Sequence, residues 1–249
     1  MSKSPIFAWF LVLAFAAGIA TPHRAAAQSE PQREATPDQP EREAGGVYKP
    51  PLRGAPASRV GGASRGAIRP RAPLPIVELL APADHAGQTS SQTPTLYYFV
   101  SRPVAWPMQL TISAPLQVAP ILEVTIPSAT APGIYPLRLS DYRVRLAPGI
   151  AYTWSVSIII DPKAWSRNIV ASAVILYDTA NPAAASAGPA AGSNRAATLA
   201  AAGLWYDAVA AAFDARGSDG GAVLNQLVAQ VGLVEATRFE RAAARSPAQ

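Results

Sequence analysis

From Leu74 onward the chain alternates between apolar and polar positions in short bursts separated by proline, glycine and small polar residues. MQLTIS sets Met108, Leu110 and Ile112 on one face and Gln109, Thr111 and Ser113 on the other. ILEVTIP repeats this with Leu122, Val124 and Ile126 inward. In GIAYTWSVSIII, Tyr152, Trp154, Val156, Ile158 and Ile160 share a face opposite Thr153, Ser155 and Ser157. That period of two marks half-buried strands. PIVELLAP, IYPLRL and NIVASAVILY add three more, Pro136 placing IYPLRL at an edge or a bend. TLYYFV, residues 95–100, is apolar on both faces and reads as a central strand. Seven short strands with Pro/Gly-rich turns predict an antiparallel, Ig-like β-sandwich over residues 74–178.

The period then changes. NPAAASAGPAAGSN lies in a low-complexity linker, residues 179–194, which ends at the candidate caps Ser193 and Asn194. In RAATLAAAGLWYDAVAAAFDA, Leu199, Gly203, Tyr206, Val209, Ala210 and Phe213 fall on one stripe of a helix, with Trp205 at its margin. AVLNQLVAQVGL follows with a second stripe, and Gly232 suits the left-handed position after a helix. Residues 195–234 therefore predict a helical hairpin packed on the sandwich, and residues 235–249 a polar, fraying tail.

Ahead of the strands, residues 28–73 lack hydrophobic periodicity and are rich in Pro, Gly, Ala, Arg and Glu, which predicts a mobile leader. Before them, Lys3, the apolar run IFAWFLVLAFAAGIA and the Ala25-x-Ala27 ending predict a signal peptide over residues 1–27, cleaved after Ala27. The expected product is periplasmic or secreted and keeps no transmembrane span. Cleavage removes Lys3 and Arg24 and no acid, leaving 19 basic against 16 acidic residues. So mild an excess does not point to nucleic acid. The chain has no cysteine, and with it no lipid-anchoring cysteine, disulfide, thiolate nucleophile or thiolate metal site.

Candidate chemistry is sparse. Gly62-Ala63-Ser64-Arg65-Gly66 spells G-x-S-x-G, but a nucleophile elbow needs a strand before it and a helix after it. AIRPRAPLP, with three prolines, follows instead, and the processed chain offers one histidine, His85. The acids Glu78, Asp84, Glu123, Asp141, Asp161 and Asp207 form no pair by motif, whereas a glycosidase needs two across a cleft. Asp84-His85 is the one spacing that suggests a small-ligand or metal site; the alternative is an ordinary surface loop.

The segments YKPPLRGAPASRVGGASRG, PTLYYFV, LAPGIAYTWSVSIIIDP, LWYDA and VGL, taken in order, resemble the markers of the domain of unknown function 928 family, exported bacterial proteins common in cyanobacteria. The resemblance spans roughly residues 48–234. It implies a P-P-x-R-G-x-P stretch, matched by Pro50, Pro51, Arg53, Gly54 and Pro56, and then a G-G-G-T-R-G stretch, approximated by Gly61, Gly62, Ser64, Arg65 and Gly66. Ser64 thus stands where a threonine is usual, and Ala63 where a glycine is, in what reads as a capping or surface-docking segment. Cysteines common in relatives are absent from RGAIRP and IIIDP. The resemblance brings no activity, cofactor or catalytic residue.

The expectation is a non-enzymatic interaction module of the cell envelope with no cofactor, binding an envelope protein or an anionic envelope surface. The alternative is a carboxylate-dependent envelope hydrolase. Candidate interaction residues are Arg53 and Arg65 of the basic leader, and Trp205 with Asp207 as an indole-carboxylate pair in a groove. The competing reading of Trp205 and Tyr206 is that they anchor the helices to the sheets, with Asp207 bonding an arginine or a backbone amide there.

Overall fold

Alternation does build strands. In the computed structural model, which describes residues 48–51, 59, 73–181, 192–217 and 220–245, eight strands form two sheets and four α-helices follow. The strands are β1 (Val77–Leu79), β2 (Gly87–Thr89), β3 (Thr95–Val100), β4 (Met108–Ser113), β5 (Leu122–Ile126), β6 (Gly133–Arg138), β7 (Ala151–Ile158) and β8 (Ile169–Tyr177). The helices are α1 (Gly192–Ala201), α2 (Trp205–Asp214), α3 (Gly220–Gln230) and α4 (Val234–Arg245). The fold is mixed α and β. No helix among the described residues is long and apolar enough to cross a membrane.

One sheet has the order β1-β3-β6, the other β2-β8-β7-β4-β5. TLYYFV is central in the smaller sheet and Pro136 sits on its edge strand, as the pattern requires. β3 is apolar on both faces because both are covered. Val77 pairs with Val100 and Leu79 with Tyr98, and these buried side chains share the face turned away from the helices, while β1 packs against β7 and β8. Tyr97 and Phe99 point the other way, onto Phe213 of α2 and Phe239 of α4, with ring centroids 4.6 and 5.5 Å apart. The interior face of the five-stranded sheet carries Met108, Leu110, Ile112, Trp154, Val156 and Ile158, all essentially inaccessible.

Four expectations need correction. There are eight strands, and β2 pairs with β8 in parallel, so the strands are not all antiparallel. The stretch expected as one long helix is two, because Gly203 takes φ +80°. Its N–H donates to Ala200 O and that of Leu204 to Leu199 O, the paired bonds of a left-handed helix stop. Gly232, at φ +69°, ends α3 in the same way, so the hairpin becomes a four-helix layer.

The third correction concerns the tail. Val234–Arg245 is helical, because the Glu78 carboxylate of β1 accepts the N–H groups of Glu235 and Ala236 and so caps α4 from the neighbouring sheet. The fourth concerns the leader. Tyr48 is buried, so the chain there is part of the fold.

Candidate functional site

Tyr48 and Lys49 form a strap across the helical layer. The Tyr48 N–H donates to Gln230 Oε1 at 2.9 Å, Gln230 Nε2 donates back to Tyr48 O, and the Lys49 N–H donates to Ala200 O at 3.1 Å. The ring of Tyr48 stacks on His85 and meets Trp205 edge-on, at centroid distances of 5.7 and 4.8 Å. His85 Nδ1 lies 2.7 Å from Asp84 Oδ1. With its proton on that nitrogen, Nε2 accepts the Tyr48 hydroxyl, also at 2.7 Å. The bond from His85 holds the exposed Asp84 carboxyl below its usual range, and burial pushes the Tyr48 phenol up. A cleft of about 280 Å³ opens here between Tyr48, Asp84, His85 and Gln230. Both ring nitrogens of His85 are engaged, so the cluster fastens the strap and leaves no imidazole nitrogen facing the cleft unpaired.

Arg59 makes a second fastening. Its guanidinium donates to Ala81 O at 2.9 Å and to Val231 O at 3.2 Å, where the carbonyls at the end of α3 lack helical partners. Burial lowers its pKa, and the charge of Glu78 offsets this in part.

Trp205 and Tyr206, adjacent on α2, are both buried despite diverging around the helix, because they enter different parts of the interior. The Trp205 indole donates to Leu80 O at 2.8 Å beneath Tyr48. Tyr206 reaches the larger sheet, where its hydroxyl accepts from Trp154 Nε1 at 2.9 Å and donates to Val174 O at 3.1 Å. A β-carbon on Gly87 would lie 2.7 Å from the Tyr206 ring, so only glycine leaves room for it in β2. Asp207 accepts the Ser90 N–H at 2.8 Å and the Ser90 hydroxyl at 3.2 Å, and burial raises its pKa. Trp205 and Asp207 thus lie in the seam between helices and sheets. Arg53, Arg65 and Ser64 lie outside the described residues.

The remaining acids go to separate places. Glu78 caps α4, Asp161 binds Arg167 at 3.0 Å, Asp141 accepts from Ser140, and Glu123 is exposed on β5. Glu240 is buried against Arg216 beside a hollow of about 440 Å³. Among the described residues no group of three or more His, Asp or Glu side chains could hold a metal ion.

Sequence reasoning passed over the surface feature with the least structural explanation. Between β4 and β5 the chain reads APLQVAPI, without a charge. Leu116 and Val118 at its tip are 105% and 106% exposed, more than in an extended reference peptide, and Ile121 behind them is 38% exposed. A hairpin loop of this length ordinarily carries polar residues, and that was the available signal.

The marker segments, by contrast, meet one another. Tyr48 of YKPP touches Trp205 of LWYDA, whose Tyr206 bonds Trp154 of YTWSV, while Arg59 binds the carbonyls of Val231 and Gly232 in VGL. They define a two-sheet domain sealed by a helical layer, in which the distinguishing residues are fastenings. The model of the Domain of Unknown Function (DUF928) matches residues 60–238, and the chain belongs to that family. No curated protein and no solved structure matches it.

Proposed function

We propose that the chain is an exported, non-enzymatic binding module of the cell envelope, processed after Ala27, with its two sheets forming an open Ig-like sandwich. The observation that carries this reading is the bare apolar tip at Leu116 and Val118. Among the described residues other large apolar side chains, Trp165 and Val234 among them, are also exposed, but none so fully as these two, which stand together on one uncharged loop with Ile121. A cluster of exposed apolar side chains marks a contact site. The buried aromatics and acids, the features from which a catalytic cleft would be assembled, are committed to holding strap, helices and sheets together.

The test is affinity purification of the tagged, processed chain from its own envelope beside a Leu116→Asn/Val118→Ser variant. Envelope material that co-purifies with the wild type and is lost from the variant supports the proposal. Identical material on both refutes the tip as the contact.

A further inference from the structure

Two residues other than glycine have positive φ among the described residues: Leu116 at 62° and Arg143 at 57°. A side chain with a β-carbon is strained in that region, and leucine gains nothing from it locally. At Arg143 the conformation closes a turn, Arg143 N–H donating to Ser140 O and Val144 N–H to Leu139 O. At Leu116 no such pair of bonds among the described residues accounts for it, and strain kept there is informative.

They lie at the same end of the molecule. Ser113, the last residue of β4, pairs with Thr153 near the start of β7, so the β4–β5 tip projects from the end where β7 begins. The segment carrying Arg143 runs from β6 into β7, and it is tied to that end by Leu146 N–H to Gln92 O and Gly149 N–H to Tyr177 O. There, Thr93, Ser140, Arg143, Val144 and Arg145 line a hollow of about 220 Å³. Arg138, Arg143 and Arg145 are exposed on the same segment as Asp141, while Asp178 is half-buried after β8, its carboxylate accepting the Ala180 N–H, and Glu123 is exposed on β5.

One end of the domain thus offers an uncharged aliphatic point and a hollow lined by the Arg143 and Arg145 guanidinium groups and the Thr93 hydroxyl, with Arg145 also donating to Gln92 Oε1 at 3.4 Å and the Ser140 hydroxyl taken by Asp141. A protein partner would need a socket shaped for a point that has no rim of its own. A phospholipid surface needs none, since its acyl region accepts the aliphatic side chains and its phosphates meet the donors. We infer that this end is a lipid-surface contact, in which Leu116 and Val118 enter an anionic phospholipid layer and Arg143 and Arg145 engage headgroup phosphates. This rests on the tip being the contact site and names its partner.

The experiment is co-sedimentation of the processed chain with vesicles of phosphatidylethanolamine and phosphatidylglycerol (about three to one), and with phosphatidylcholine alone, alongside circular dichroism melts. The wild type is expected to sediment with the anionic vesicles, and Leu116→Asn/Val118→Ser to bind at least tenfold more weakly. Because asparagine tolerates the left-handed region, Leu116→Asn alone raises Tm while weakening binding. Arg143→Gln/Arg145→Gln abolishes the preference for anionic over neutral vesicles.

Trp165, 68% exposed, lies on the β7–β8 connection at the opposite end and serves as the control. Trp165→Ser is expected to bind unchanged. Absence of sedimentation, undiminished binding by the tip variant, or loss of binding in Trp165→Ser overturns the lipid assignment. If vesicles fail while the tip variant still loses a captured envelope protein, the binding-module reading stands and the lipid inference alone is wrong.

Discussion

Replacing Tyr206 by phenylalanine removes a single oxygen and keeps the ring that fills the space over Gly87. That oxygen serves two buried partners. It accepts from Trp154 Nε1 at 2.9 Å and donates to Val174 O at 3.1 Å, and both Tyr206 and Trp154 are closed to solvent. Each bond lost costs about 1 kcal/mol, and an indole N–H left buried without an acceptor raises the total to roughly 2–3 kcal/mol. For a domain of this size that corresponds to a fall in Tm of about 5–10 °C. Chemical denaturation and calorimetry of Tyr206→Phe check the value. A cycle with Trp154→Phe isolates the pair: the double variant has no orphaned donor, so the second substitution costs about 1–2 kcal/mol less than it does alone. A change within about 0.5 kcal/mol for Tyr206→Phe, or additive costs in the cycle, would refute the account of this tyrosine as the bond between helical layer and larger sheet.

Other perturbations test the remaining fastenings. Glu78→Gln should cost about 0.5–2 kcal/mol as a lost cap, with hydrogen exchange of the Val234–Arg245 amides accelerating before that of β3. Arg59→Ala should destabilise by about 1–3 kcal/mol through the carbonyls of Ala81 and Val231; an unchanged urea midpoint would show that the strap adds nothing. Burial raises the pKa of Asp207, so the folded state holds its proton more tightly than the unfolded state. Wild-type stability therefore falls relative to Asp207→Asn as pH rises from the ordinary carboxylate range through the raised value, then levels; urea titrations from about pH 3.5 to 7 read this, and a flat or opposite trend contradicts it.

How much of this the sequence disclosed follows from the range of the forces involved. β4, β5, β7 and β8 were legible because one covered face and one open face impose alternation, which is local. β2 was not, since Gly-Gln-Thr has no pattern and becomes a strand only where β8 offers an edge. The division of the first long helix was hidden because the apolar stripe runs on past Gly203. The last helix looked polar, and its cap comes from Glu78 in β1. In the candidate site, the anchoring reading of Trp205, Tyr206 and Asp207 was available from their places on the helix, but their partners Leu80, Val174 and Ser90 lie far away in the chain. The tip was in plain view, though attention to alternation in the flanking strands passes over an uncharged loop between them.

The strap also bears on when the domain can close. Tyr48 and Arg59 precede every strand described, yet several of their bonds go to Gln230, Val231 and Gly232, more than 170 residues further along the chain. β1 likewise waits for α4 to receive its carboxylate. Contacts of such sequence separation form late and slowly, so without α3 and α4 the strap keeps its bonds to Ala200, His85 and Ala81, and the Glu78 carboxylate has no helix to cap. Closure of the strap is therefore a late step, taken on sheets whose own ladders need nothing beyond Tyr177.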